Sequence, residues 1–359
     1  MSLSLASGLD GVNLNSARPE HLPSLDGLRA ISIVLVLLGH LSGTRGFARV
    51  ELGIGNYAHL GVVVFFVISG FLITRLMLTE RAKYNSVSLG RFYARRALRL
   101  FPAAYAFIAC VCLLWAAGIV HLQSRDIWHA VTYTVNFEPG RSWQIGHLWS
   151  LSVEEQFYLV WPCTFVLFGP RRAGWVAVGA VFLGPAARSI AWLFLRGTPY
   201  GDLEMFPMVA DSIAMGCLLA MARGWLETRT WYLKLFHPAY SAGLLALILL
   251  ANRYMSLTVV SVFGSTVINA CVAILVHRSV YCSRDWIGQA LNWRPVVYVG
   301  LLSYSLYLWQ QLFLNRGSAA WLNAFPQNLA LTAAAALGSY FLLERPLLKL
   351  RRRLRALPR

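Results

Sequence analysis

The sequence predicts an all-α, polytopic integral membrane protein with about ten transmembrane helices and both termini in the cytoplasm. Three observations predict it. Of 359 residues, 57% are hydrophobic and 13% charged, against about 25% charged residues in a soluble globular domain. Apolar runs such as GVVVFFVISGFLI (61–73) and FIACVCLLWAAGIV (107–120) approach, with their flanks, the ~20 residues that span a bilayer. Lys and Arg are divided unevenly between alternate loops. The net charge of +17 would point to nucleic acid in a soluble chain. In a chain of this composition it is topological, and no nucleic-acid partner is expected.

Taken in order, apolar windows broken by polar or Pro/Gly clusters begin near residues 27, 57, 100, 146, 174, 204, 238, 257, 296 and 327. With alternate loops assigned to two sides, one side carries 23 Lys and Arg, and the other carries 7. The positive-inside rule places the richer side in the cytoplasm. That side holds residues 1–24, the loop 79–100 and a basic tail, 344–359, with the transmembrane domain at 25–343 between the tails. The first 20 residues show no cleavable leader, so the first span is expected to direct insertion. Five of the six cysteines fall in apolar runs, and the sixth, Cys282, lies in a basic loop. Neither a disulfide framework nor a zinc site is indicated.

Ionisable groups inside spans cost about 2.5–3.5 kcal/mol at a helix centre and tend to mark function. His40, Glu154, Glu155 and Asp211 are such groups, with Arg75 near a span end. Arg29 and His40 are eleven residues apart, about 20° past three full turns, so they project from one face with a rise of roughly 16 Å. One groove can then hold an anion at its inner mouth and a base deeper in. A histidine bonded to a neighbouring helix fits the same position. In HLWSLSVEEQFYLVW (147–161), His147, Glu154 and Tyr158 share a face through spacings of seven and four. A carboxylate beside His40 would fix its tautomer and raise its basicity; a structural Glu–Arg pair is the alternative. RFYARRALRLFP (91–102) gathers Arg91, Arg95, Arg96 and Arg99 before Pro102, a patch suited to phosphate or to anionic lipid.

These motifs together resemble the membrane-bound acyltransferase type 3 family, whose bacterial members include O-acetyltransferases of lipopolysaccharide, exopolysaccharide and nodulation factors. LDGLRAISIVLVLLGH (25–40) is similar to the family's opening, with its Arg, ten residues, His spacing. VVVFFVISGFLIT (62–74) looks like the second-span Ser-Gly-Phe signature, and FYARRALRLFP the cytoplasmic Arg-x-x-Arg element. HLWSLSVEEQFYLVWP and VGLLSYSLYLWQQ (299–311) resemble the fourth- and ninth-span signatures.

The resemblance implies a multi-pass protein of a bacterial inner membrane, in contact with its lipids. It would move an acyl group from cytoplasmic acetyl-CoA, or another short acyl-CoA, to a hydroxyl of a carbohydrate acceptor. Acyl-CoA would be a co-substrate, with no permanently bound cofactor. His40 looks like the catalytic histidine, as general base or nucleophile, and Glu154, or its neighbour Glu155, like its carboxylate partner. Arg29, Arg95, Arg96, Arg99 and Ser69 fall on the donor side. Trp143, His147 and Trp149, with Trp128 and Tyr133, suit stacking on sugar rings; interfacial anchoring fits these aromatic residues equally well.

Two departures stand out. Gln310 follows Tyr-Leu-Trp where many members carry His, and no C-terminal hydrolase-like domain is expected. A proton-coupled transporter or flippase would also use intramembrane His, Glu and Asp. No related halves or paired broken helices support that reading. A non-catalytic membrane sensor is the third reading, and the full set of motif polar residues argues against it.

Overall fold

Backbone in hydrocarbon has no water to bond, so an apolar run closes its N–H and C=O groups within a helix. The computed structural model describes residues 22–50, 56–200, 204–255 and 258–349. Among these it contains α-helices and short 3-10 or π turns, with no strand. The helices are α1 (Pro23–Leu41), α2 (Tyr57–Tyr84), α3 (Leu89–Ala116), α4 (Ser124–Val131), α5 (Trp143–Gly146), α6 (Leu148–Phe194) and α7 (Phe206–Glu227). They continue with α8 (Thr230–Lys234), α9 (Pro238–Arg253), α10 (Ser265–Tyr281), α11 (Trp286–Leu291), α12 (Arg294–Phe313) and α13 (Gln327–Ser339). The tails, up to residue 21 and from 350 onward, lie outside the described residues.

Each of the ten apolar windows holds a helix, and six helical runs among the described residues are long and apolar enough to cross a membrane. The difference has physical reasons. The run Trp143–Phe194 covers two windows, and Gly169, at φ 74° and ψ 166°, breaks its helix between Phe168 and Pro170. α9 is short, at 16 residues, and α13 runs on through a π turn, Tyr340–Glu344, that brings the charged Glu344 and Arg345 into the helix. The 20 residues of α12 carry a polar stripe of Ser303, Tyr304, Ser305, Tyr307, Gln310 and Gln311. The arginine patch does not precede the third span, as the windows suggest. It forms the first half of α3, continuous with the apolar part through Pro102.

α1 packs against α2 and α12, α2 against α7, and α7 against α6. Three of these contacts run backbone to backbone, α1 with α2 through Gly61 at the Ser32 carbonyl. A methyl group at Gly70 of α2 would overlap the Ile213 carbonyl of α7, and one at Gly216 would overlap the Val67 carbonyl. One at Gly300 of α12 would overlap the Asp26 carbonyl of α1. Small residues allow the close approach by which helices associate in lipid, where the surrounding tails are as apolar as the side chains.

Asp211, a sequence-level candidate for function, has a structural partner. Arg188, from the second part of α6, donates from Nη2 to Asp211 Oδ2 at 2.9 Å and from Nη1 to Oδ1 at 3.2 Å. Thr266 donates to the same carboxylate at 2.5 Å. The guanidinium also reaches the carbonyls of Val262, at 2.9 Å, and Met208. Asp211 is 0% exposed, so the pair joins α6, α7 and the start of α10 in a fully matched network. Asp211→Ala, which leaves Arg188 buried and uncompensated, is expected to cost about 3–5 kcal/mol. Replacing the pair together by Met and Leu should recover most of the loss; thermal unfolding in detergent, followed by size exclusion, measures both.

Candidate active site

Helical spacing brings polar groups from five helices to one cavity. α1 supplies Arg29; α2 supplies Val62, Phe65, Phe66 and Ser69; α3 supplies Arg96, Arg99 and Leu100. α6 adds Ser150, Leu151, Glu154 and Tyr158, and α12 adds Ser303, Tyr304 and Tyr307. Spacings of three and four place Arg96 with Arg99, and Ser150 with Glu154 and Tyr158, on single faces. Five sequence-predicted residues, Arg29, Ser69, Arg96, Arg99 and Glu154, thus meet around one space, and Glu155 is not among its lining residues.

The carboxylate is held by a chain of hydroxyls. Ser69 Oγ donates to Glu154 Oε1 at 2.5 Å, and Tyr158 donates to Ser69 Oγ at 3.1 Å. The Arg96 guanidinium lies over the Tyr158 ring, 3.4 Å from its centroid, a cation–π contact. Its Nε is buried without a hydrogen-bond partner among the described residues. Arg29 pairs with Asp26 at 2.9 Å. Tyr304 donates to the Leu100 carbonyl at 2.7 Å, and Tyr307 to the His147 carbonyl at 2.9 Å. The cavity is therefore lined by three arginines together with serine and tyrosine hydroxyls, a donor set whose chemistry suits an anionic group.

His40 stands farther along α1. Its Nδ1 lies 2.8 Å from Gln310 Oε1 of α12; with that oxygen as acceptor, the imidazole is the Nδ1–H tautomer and carries its lone pair on Nε2. Trp143 meets the imidazole edge-on at 5.6 Å between ring centroids. Arg316, just past α12, donates to the Gly39 carbonyl at 2.5 Å. The carboxylate expected beside His40 is elsewhere: Glu154 takes the Ser69 hydroxyl, and Gln310 occupies the imidazole.

The other candidates divide. Arg95 turns to Glu80, at 3.4 Å, and does not line the cavity. Trp143 is brought to His40 and is fixed there by Nε1–H donation to the Gln311 carbonyl at 2.9 Å. His147 is 2% exposed. Its peptide N–H and Nδ1 meet Gln311 Oε1 at 2.8 and 2.7 Å, and its Nε2 faces the Leu308 carbonyl at 3.0 Å. Trp149 stacks on His59 at 6.5 Å and meets Phe66 edge-on at 6.0 Å. Trp128 is exposed and Tyr133 half-buried against Phe101 and Tyr105. Tyr304 and Tyr307 line the cavity, Gln310 meets His40 and Gln311 meets His147, at positions that a search for carboxylates, histidines and basic groups passes over. Their signal is the polar stripe in SYSLYLWQQ, with spacings of three and four within an apolar helix.

A family model described as an acyltransferase domain, that of the type 3 acyltransferases, matches residues 22–344. The chain belongs to this family. It is 27% identical over 316 residues to the peptidoglycan O-acetyltransferase OatA of Listeria monocytogenes, covering 81% of this chain and 49% of that protein. It is 29% identical over 322 residues to a putative peptidoglycan O-acetyltransferase of Bacillus subtilis, covering 81% and 48%. A putative O-acetyltransferase of Staphylococcus aureus is 29% identical over 316 residues, covering 81% and 50%. The chain thus spans about half the length of the curated relatives it matches. No solved structure matches it.

Ser69→Ala removes the donor to Glu154 and the acceptor of Tyr158 together. It is expected to lower stability by about 1–3 kcal/mol, read as a lower thermal midpoint in detergent, with Ser69→Thr close to the wild type.

Proposed function

We propose that the chain is an O-acyltransferase, an O-acetyltransferase by the chemistry of its relatives, that uses a cytoplasmic short-chain acyl-CoA to esterify a hydroxyl of a cell-envelope glycan. The observation that carries this reading is the placement along α1 of the arginine-lined cavity and of His40, whose Nδ1 meets Gln310. Arg29, Arg96 and Arg99 offer planar donors to the CoA phosphates. The arm of CoA between its phosphates and its thioester is long enough to run from there toward His40, a separation of roughly 16 Å along the helix.

His40 Nε2 takes the proton of the acceptor hydroxyl as its oxygen attacks the thioester carbonyl. Collapse of the tetrahedral intermediate breaks the C–S bond and releases CoA thiolate. The imidazolium returns the proton to that sulfur, so the histidine ends neutral. Trp143, edge-on to His40, offers an aromatic surface to the sugar that carries the hydroxyl. Peptidoglycan, named in two relatives, is the first acceptor to test. The charge asymmetry of the loops supports cytoplasmic termini in a bacterial inner membrane, with the acceptor on the opposite side.

His40→Ala, at equal expression, is expected to lower glycan O-acetyl content at least about 10²-fold, measured by mass spectrometry of released envelope glycans; unchanged ester would overturn the catalytic role. Arg96→Ala with Arg99→Ala is expected to raise KM for acetyl-CoA about 10²-fold, since charged hydrogen bonds contribute about 1.5–3 kcal/mol each. Labelled acetyl transfer in isolated membranes reads it, and an unaltered KM would reject a donor site there.

A further inference from the structure

The carboxylate in the cavity belongs to Ser69, and the group on His40 is an amide. Gln310 is 0% exposed. Its Oε1 stands 2.8 Å from His40 Nδ1, while its Nε2 is buried with no hydrogen-bond partner among the described residues. A buried amide with one end unmatched weakens the fold relative to an apolar side chain of the same volume, so packing does not account for a glutamine here. The neighbouring Gln311 presents the contrast. Its side-chain oxygen meets the peptide N–H and ring of His147, and its carbonyl takes Trp143 Nε1–H. Structural duty is thus met at 311, and the amide at 310 is spent on the imidazole alone.

We infer that Gln310 is the positioning residue of His40: it holds the imidazole as the Nδ1–H tautomer, with Nε2 aimed at the reacting hydroxyl, and does so without a charge. This inference rests on the acyltransfer reading above. A carboxylate in the same place would fix the same tautomer, at the cost of burying an ion in a span. The charged and titratable groups that the structure sets beside this pair are Arg316, on the Gly39 carbonyl, and His147, one residue beyond Gln310 on α12's surface through Gln311. Among the described residues the hydrogen bond to the His40 ring comes from this amide and not from a carboxylate, so its orientation depends on the amide. α12 supplies a rigid support, because the Gln310 carbonyl accepts the capping N–H of Leu314 at 2.8 Å.

The test compares Gln310→Met, which keeps volume and removes the acceptor oxygen, with Gln310→Glu, which keeps that oxygen. Purified protein, labelled acetyl-CoA and a glycan acceptor give kcat and KM for each. Met is expected to lower kcat at least about 10²-fold, as loss of tautomer control does in a catalytic triad. KM for acetyl-CoA should stay within about twofold, and the thermal midpoint near the wild type. Glu is expected to retain at least about a tenth of the wild-type kcat, by the same tautomer argument. Wild-type kcat in the Met variant, or a loss in Glu as deep as in Met, would overturn the inference. If Met does not accumulate in the membrane, Gln310→Asn, which withdraws the amide by one methylene, replaces it with the same expected loss. His40→Ala is run beside them. Activity retained there overturns the acyltransfer role of His40 itself. Activity lost there but kept in Met removes only the assignment to Gln310.

Discussion

The contact between α1 and α12 is the constraint on which the site depends. Gly300 lets α12 meet the backbone of α1 at Asp26, and ten residues further along α12, Gln310 reaches His40. The two helices therefore run side by side in the same direction. This one crossing puts Ser303, Tyr304 and Tyr307 opposite Arg29 and the amide opposite the imidazole. A side chain larger than hydrogen at position 300 would push the helices apart, and both ends of the site would open together.

The second organising constraint is the cost of charge in a span. Asp211 and Arg188 meet it by mutual, bidentate pairing with added donors, which leaves no capacity for a ligand. The cavity meets it differently. Arg29 has Asp26, and Arg96 has the face of Tyr158, but the buried Nε of Arg96 is unmatched among the described residues. A fully matched network stabilises, while a cationic wall with an unmatched donor keeps hydrogen-bonding capacity that the fold itself does not use.

Much of this was legible in the chain. The ten apolar windows each hold a helix, and Arg29, Ser69, Arg96, Arg99 and Glu154 were singled out from spacing, chemistry or family resemblance before any geometry. They could be found because a charge in an apolar helix is conspicuous and because helical periodicity assigns it a face. The pairing of those faces was not legible. His147 shares a face with Glu154 by spacing, yet it turns to α12 and is buried against Gln311 and Leu308. Trp149 likewise packs between His59 and Phe66.

The chain alone carries the membrane-spanning helical class, the family and the presence of ionisable residues inside apolar spans, because composition and periodicity act along one chain. Only the tertiary structure decided that Glu154 answers to Ser69, that Asp211 answers to Arg188, and that the imidazole of His40 rests on an amide 270 residues away. A hydrogen bond acts over about 3 Å in space, and which groups come within that distance depends on where the small residues let helices touch.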